Sequence, residues 1–239
     1  MIDYIKQGDC LKLMKQIPDE SIDLIVTDPP YKMNHTTGST TGSGFKERWC
    51  GNLYAGDKSL VFNTDIRFSE WLPEIYRVLK NSSHCYIFCN DKNMQELLVE
   101  SQKSKFRLSN ILVWHKNNAT PNRYYMKNCE FILFLYKGFA KPINNMGCKV
   151  VMEYDNISGK CKQHPTEKPI DLLELYIRNS TKENDIVFDP FMGSGSTCVA
   201  AINTNRHYIG FELEPHYFEI AQKRIEDAKK LKEDKTILK

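Results

Sequence analysis

Ile186-Val187-Phe188-Asp189-Pro190-Phe191-Met192-Gly193-Ser194-Gly195-Ser196-Thr197 is the stretch on which the fold turns. Its apolar start, rich in β-branched and aromatic residues, predicts a short buried strand, Ile186–Phe188. An acid and a proline end that strand. Gly193 and Gly195 then let the backbone pass close to a ligand before a helix predicted over Thr197–Asn203. Strand ends of this kind are where open α/β sheets bind ligands. A Walker phosphate loop needs Lys before its final Ser or Thr, and Ser196 stands there. A dinucleotide fingerprint needs a third glycine where Cys198 stands. The turn therefore suits a nucleoside cofactor lacking a pyrophosphate. Glu212 follows the next predicted strand, Tyr208–Phe211, where an acid can bind ribose hydroxyls.

A second loop lies near the other end. Asp28-Pro29-Pro30-Tyr31 directly follows the apolar run from Ile22 to Val26. Two prolines fix φ and remove two backbone donors, so the loop offers acceptors: the Asp28 carboxylate and the Pro29 carbonyl. Tyr31 adds a flat ring. An amino group on an aromatic ring carries two N–H donors and a π face, and these three groups match it. A structural turn explains the prolines but not Asp28 and Tyr31 together.

Between these loops, short apolar runs alternate with helical patterns. Strands are expected at Tyr4–Lys6, Ile22–Thr27, Cys85–Cys89, Ile111–His115, Phe131–Tyr136, Ile186–Phe188 and Tyr208–Phe211. Helices are expected at Cys10–Ile17, Phe68–Leu79, Lys92–Ser104, Pro169–Arg178, Thr197–Asn203 and His216–Leu231. Uniformly apolar strands separated by helices indicate a doubly wound α/β fold, a mostly parallel sheet covered on both faces. The 239 residues suit one such domain, and 41% hydrophobic content supplies its core. A net charge of +3 permits a nucleic-acid partner without requiring one. The eight cysteines include no CxxC pair and no signal-peptide core precedes them, so reduced thiols and a cytoplasmic location are expected. Cys148, Cys161 and His164 lack a fourth ligand at suitable spacing, and no metal is expected. Residues 32–63, rich in Gly, Ser and Thr, and residues 137–163 show no clear period, and 32–63 and 116–163 are candidate substrate-contact regions.

Taken in order, these loops resemble the S-adenosylmethionine-dependent amino DNA methyltransferases. The Asp-Pro-Pro-Tyr loop precedes the Phe191-Met192-Gly193-Ser194-Gly195 turn, an arrangement similar to their β group. The segment His164-Pro165-Thr166-Glu167-Lys168-Pro169 is similar to the family element contacting the methionine moiety, which implies cofactor roles for His164, Thr166 and Lys168. Asp9 and Cys10 match the acidic site near the cofactor adenine, and Glu212 and Leu213 the ribose site. The cofactor set is completed by Asp189, Phe191, Gly193, Ser194, Gly195, Ser196 and Thr197.

The resemblance implies one methyltransferase domain in circularly permuted order over residues 1–239, with a Rossmann-like sheet of seven strands. Ile111–His115 and Phe131–Tyr136 would form an antiparallel edge hairpin, the N-terminal strand would lie beside the one ending at Glu212, and Thr27 and Phe188 would flank the switch point. The implied reaction is methylation of the N6 amino group of a flipped-out adenine in double-stranded DNA, with cytosine N4 as the alternative target. A homodimer and a restriction endonuclease partner belong to the same expectation. RNA or protein methylation, and a DNA-binding relative without catalysis, are weaker alternatives. Candidate DNA contacts are Lys46, Arg48, Lys116, Asn118, Asn122, Arg123, Tyr124 and Lys127.

Overall fold

The computed structural model describes residues 2–30, 66–120, 124–157 and 167–237. The chain divides into two units, Met1–Pro29 with Arg67–Lys239, and Pro30–Ile66. Only the first and last residues of the second unit are described, so the fold that follows is that of the first.

Eight strands form its sheet: β1 (Tyr4–Gln7), β2 (Ile22–Thr27), β3 (Leu79–Cys89), β4 (Arg107–Thr120), β5 (Lys127–Tyr136), β6 (Val151–Glu153), β7 (Ile186–Asp189) and β8 (His207–Glu212). Among the described residues six helices accompany them: α1 (Cys10–Met14), α2 (Phe68–Val78), α3 (Met94–Lys103), α4 (Ile170–Ser180), α5 (Ser196–Asn203) and α6 (Pro215–Ile237). The strand order is β1-β8-β7-β2-β3-β5-β4-β6. Every pairing from β1 to β3 is parallel. β5 runs antiparallel to both β3 and β4. All seven expected strands and six expected helices are present, and β1 lies beside β8 as the resemblance implied.

Two differences follow from pairing rather than local propensity. The hairpin is not the final edge, because Val151–Glu153 adds an eighth strand parallel to β4. Three residues in a pattern-poor stretch carry too little periodicity to be read. β3 and β4 also extend well beyond their apolar centres, into Lys80-Asn81-Ser82-Ser83 and Lys116-Asn117-Asn118. Both extensions fall where the strand register shifts, between Leu79 and His84 of β3 and between His115 and Thr120 of β4.

The core explains the layers. Leu24 and Val26 alternate to one face, where they pack with Tyr86, Phe88, Leu172, Ile177, Ala200 and Ala221 from β3, α4, α5 and α6. Ile25 and Ile87 point the other way and are fully buried, as are Trp71, Leu72 and Ile75 of α2. Removing a single such side chain costs about 2–5 kcal/mol in well-packed cores, so β2 is held rigidly from both faces. That rigidity matters, because the Asp28 loop leaves β2 at its end.

Candidate active site

β2 and β7 are paired neighbours, with Leu24 opposite Val187 and Ile25 opposite Phe188. Their two exit loops therefore leave side by side. Thr27, the last residue of β2, donates its hydroxyl to Asp189 Oδ1 at 2.7 Å. One hydrogen bond thus ties the strand carrying Asp28 to the strand carrying the glycine turn, across 162 positions of sequence.

Asp189 is buried and fully engaged. Oδ1 also accepts the Phe191 backbone N–H at 3.1 Å, and Oδ2 accepts the Thr197 hydroxyl at 2.7 Å. Burial pushes its carboxyl up to about 6, against the lowering effect of those donors. Asp189 and Thr197 act as struts that set the start and end of the turn. Gly193 and Gly195 both adopt left-handed backbone, at φ 51° and 81°. At Gly195 a Cβ would stand 3.0 Å from the Ala221 Cβ and 3.3 Å from its Cα. Glycine is needed there for both conformation and space.

Glu212 ends β8, and its Oε2 accepts the Gly193 N–H at 2.9 Å while Oε1 accepts the Glu214 N–H at 2.8 Å. Burial raises its pKa. Its carbonyl accepts the Gly8 N–H at 2.8 Å, so the β1 exit lies against the same corner. There Asp9 caps α1, accepting the Leu11 N–H at 2.9 Å. Cys10 is buried behind it, its thiol pushed up to about 12 by burial and then by Asp9. Leu213 is exposed. Two acids at adjacent strand ends, with a glycine turn beside them, fit a nucleoside: donors to carboxylates, and backbone close approach.

The other corner is an ion network. Lys168 sets its ammonium 2.6 Å from Asp28 Oδ2 and 3.1 Å from Glu130 Oε2. Glu130 Oε1 lies 2.5 Å from Lys116 Nζ. Lys116 stands over the Trp114 ring at 4.5 Å, and Lys168 over the Phe88 ring at 5.1 Å. Burial opposes the charge on Lys168, but the Asp28 and Glu130 carboxylates outweigh it and raise its pKa. Burial likewise pushes the Glu130 carboxyl up, yet the ammoniums of Lys168 and Lys116 win and hold it well below the usual carboxylate range. Both charges persist because each is paired. Cys89, at the end of β3, shares this corner; burial, then Asp28 and Glu130, push its thiol up to about 12, so it is no thiolate nucleophile.

Glu167 binds the opposite way. Its Oε1 is 2.6 Å from Arg224 Nη2, while Arg224 Nη1 donates to the Ser194 carbonyl at 2.9 Å, to Ser194 Oγ at 2.7 Å and to Ser196 Oγ at 3.1 Å. The dipeptide Glu167-Lys168 thus reaches the glycine turn with one residue and Asp28 with the next.

The structure brings together Asp28, Lys168, Asp189, Phe191, Gly193, Ser194, Gly195, Ser196, Thr197 and, at the adjoining corner, Asp9, Cys10 and Glu212. Pro29 is buried behind Asp28. Tyr31, Lys46, Arg48, Asn122, Arg123, His164 and Thr166 lie outside the described residues. Of the remaining expected DNA contacts, Lys116 faces inward to Glu130 rather than outward. Lys127 pairs with Asp91 at 2.6 Å, and Asn118 accepts an N–H from Asn156 at 3.2 Å. Tyr124 is exposed, beside exposed Tyr125 and Met126. Sequence reading missed Glu130 and Arg224. Each looks like an ordinary polar residue on a strand or helix, and only the fold reveals its partners.

A nucleoside-type corner joined to an acid-lined loop at a sheet switch point defines a class I methyltransferase arrangement. The chain belongs to the DNA methylase family, whose model matches residues 22–223. The type II methyltransferase M.HinfI of Haemophilus influenzae is 32% identical, covering 95% of this chain and 69% of its own. The type II methyltransferase M2.DpnII of Streptococcus pneumoniae is 30% identical, covering 92% and 88%. Among solved structures, the M1.HpyAVI–SAM complex is 25% identical with a TM-score of 0.71, covering 93% of this chain and 98% of that one. The cytosine-N4-specific PvuII DNA methyltransferase, at 19% identity and a TM-score of 0.70 over 94% of this chain and 86% of its own, shares the fold. Among the described residues no helix is long and apolar enough to cross a membrane, and no group of His, Cys, Asp and Glu has metal-site geometry.

Proposed function

We propose that this chain transfers a methyl group from S-adenosylmethionine to the exocyclic N6 of an adenine swung out of double-stranded DNA. The carrying observation is the 2.7 Å Thr27–Asp189 hydrogen bond, which sets the amino-binding loop beside the cofactor turn. When bound, the cofactor supplies an electrophilic methyl group. Gly193 and Gly195 admit it to the backbone, with Glu212 and Asp9 placed for ribose and adenine. Opposite them, the Asp28 carboxylate and Pro29 carbonyl accept the two N–H bonds of the target amine. Those bonds draw the nitrogen lone pair out of conjugation and oppose the positive charge that grows on nitrogen during attack. Alignment then supplies much of the remaining rate. As the nitrogen–carbon bond forms the methyl–sulfur bond breaks and a thioether leaves. Asp28, held by a lysine ammonium, acts as an acceptor rather than a strong base, so the surplus proton of the methylated amine passes to solvent, and no cysteine is used.

The exposed residues leading into β5, Tyr124, Tyr125 and Met126, with exposed Lys127 after them, offer stacking and phosphate contact to the distorted duplex, whose base extrusion costs about a few kcal/mol. The type II relatives support a role beside a restriction endonuclease. The test is incubation of the purified protein with duplex DNA and S-adenosylmethionine, followed by nucleoside mass analysis. N6-methyladenine is expected; N4-methylcytosine would move the target to cytosine, and formation of no methylated base at all would overturn the reading.

A further inference from the structure

Four charged side chains form one continuous row: Asp28, Lys168, Glu130 and Lys116. The links measure 2.6, 3.1 and 2.5 Å. All four side chains are mostly buried, the most open being Glu130 at 29% exposure. They come from four separate parts of the chain: the β2 exit, the segment before α4, β5 and β4. The row carries two negative and two positive charges, so it is neutral as a unit.

Position in the row assigns different tasks. Lys168 touches Asp28 Oδ2 and so fixes the plane of the carboxylate. Yet a lysine between two carboxylates is pulled both ways, and its place depends on Glu130. Lys116, in turn, balances Glu130 and limits its pull. We infer that Glu130 and Lys116 are positioning residues for methyl transfer, setting through Lys168 where the Asp28 carboxylate meets the target amine. This rests on the reading of Asp28 as the amine acceptor. Neither Glu130 nor Lys116 touches the reacting atoms.

Charge balance makes the idea distinct from simple packing. Glu130→Gln keeps shape and an acceptor oxygen but leaves the row with one excess positive charge. Lys168 then leans more heavily on Asp28 and weakens it as an acceptor for the amine. Lys116→Met leaves Glu130 uncompensated, which draws Lys168 away from Asp28 and frees the carboxylate to turn out of line with the amine. The double variant E130Q/K116M removes one charge of each sign and restores neutrality around an intact Lys168–Asp28 pair. Packing damage would accumulate in the double variant, whereas charge imbalance would cancel.

The experiment uses the full chain and single-turnover methyl transfer to duplex DNA at saturating DNA and cofactor, with calorimetric cofactor affinity and thermal melting for each variant. E130Q and K116M should each slow transfer by about tenfold or more, the scale of a lost charge-assisted hydrogen bond. Cofactor affinity should stay within about twofold, and E130Q/K116M should recover to within about threefold of wild type, since the imbalance is gone. A wild-type rate in either single variant, or a double variant as slow as the product of the two, would overturn the inference. If E130Q does not fold, K116M and the double variant decide alone. Failure of wild type to methylate DNA would instead strike the underlying functional reading.

Discussion

Replacing Gly195 by alanine tests the cofactor turn most directly. The residue sits at φ 81°, where an L side chain costs about 1–2 kcal/mol. The new Cβ would meet the Ala221 Cβ at 3.0 Å and its Cα at 3.3 Å. The second contact is backbone in the middle of α6, which cannot swing aside. Overpacking of this kind adds about 1–3 kcal/mol. The sum, centred near 3–4 kcal/mol, corresponds to roughly 6–15 °C in melting temperature for a chain of this size. A double-mutant cycle with Ala221→Gly separates the parts. That substitution alone costs about 1 kcal/mol of helix propensity, but it removes the 3.0 Å Cβ contact while the 3.3 Å approach to the Cα stays. The coupling energy should therefore be favourable by about 1–3 kcal/mol, leaving the backbone strain uncorrected. Chemical denaturation of the four variants, with cofactor affinity measured alongside, supplies every number. A Gly195→Ala protein that melts like wild type, or a double variant restored fully, would refute the account of this turn.

Other outcomes follow from the same geometry. Asp28→Ala should abolish methyl transfer while leaving cofactor affinity within a few-fold, read by labelled-methyl incorporation and calorimetry; wild-type turnover would remove Asp28 from the site. Glu212→Ala should weaken cofactor binding at least tenfold, about the worth of a charged acceptor, and unchanged affinity would dismiss it. Gly210→Ala should destabilise the packing of β8, because its Cβ would lie 2.5 Å from Met192 Sδ and 2.9 Å from Cys198 Sγ, and a melting curve identical to wild type would show the neighbours yield. His84 is buried, bonded to Ser180 Oγ at 2.9 Å and the Lys141 carbonyl at 3.0 Å, and burial lowers its pKa to about 4. The unfolded chain takes up this proton first as pH falls, so the stability it provides is present above about 6.5 and lost toward 4. The stability gap between wild type and His84→Gln should shrink over that window by on the order of 3 kcal/mol, and a constant gap would contradict the burial argument.

Much of this was legible in the residues because the relevant signals are local. Ile22–Thr27 and Ile186–Asp189 are short, apolar and bounded by Asp-Pro, so strand and loop could both be read from one window. Gly193 and Gly195 announced a conformation few other residues adopt. What stayed hidden depends on distance in sequence. Val151–Glu153 is a strand only because β4 offers an edge. Glu130 is separated from its partners Lys116 and Lys168 by a hairpin and by a helix approach, and nothing near it in sequence marks it. Arg224 looks like one more cation on a charged helix until α6 is laid against the glycine turn.

The partnership of β1 with β8, and of β2 with β7, also governs how the molecule comes into being. While the chain is being synthesised, β2 waits for a neighbour more than 150 residues downstream, and β1 for one about 200 away. Such distant pairings make assembly slow, and until they occur the early strands expose apolar edges that invite misassociation. They also mean that the loop carrying Asp28 leaves the ribosome long before the glycine turn it is tied to, since the Thr27–Asp189 hydrogen bond joins positions 162 apart.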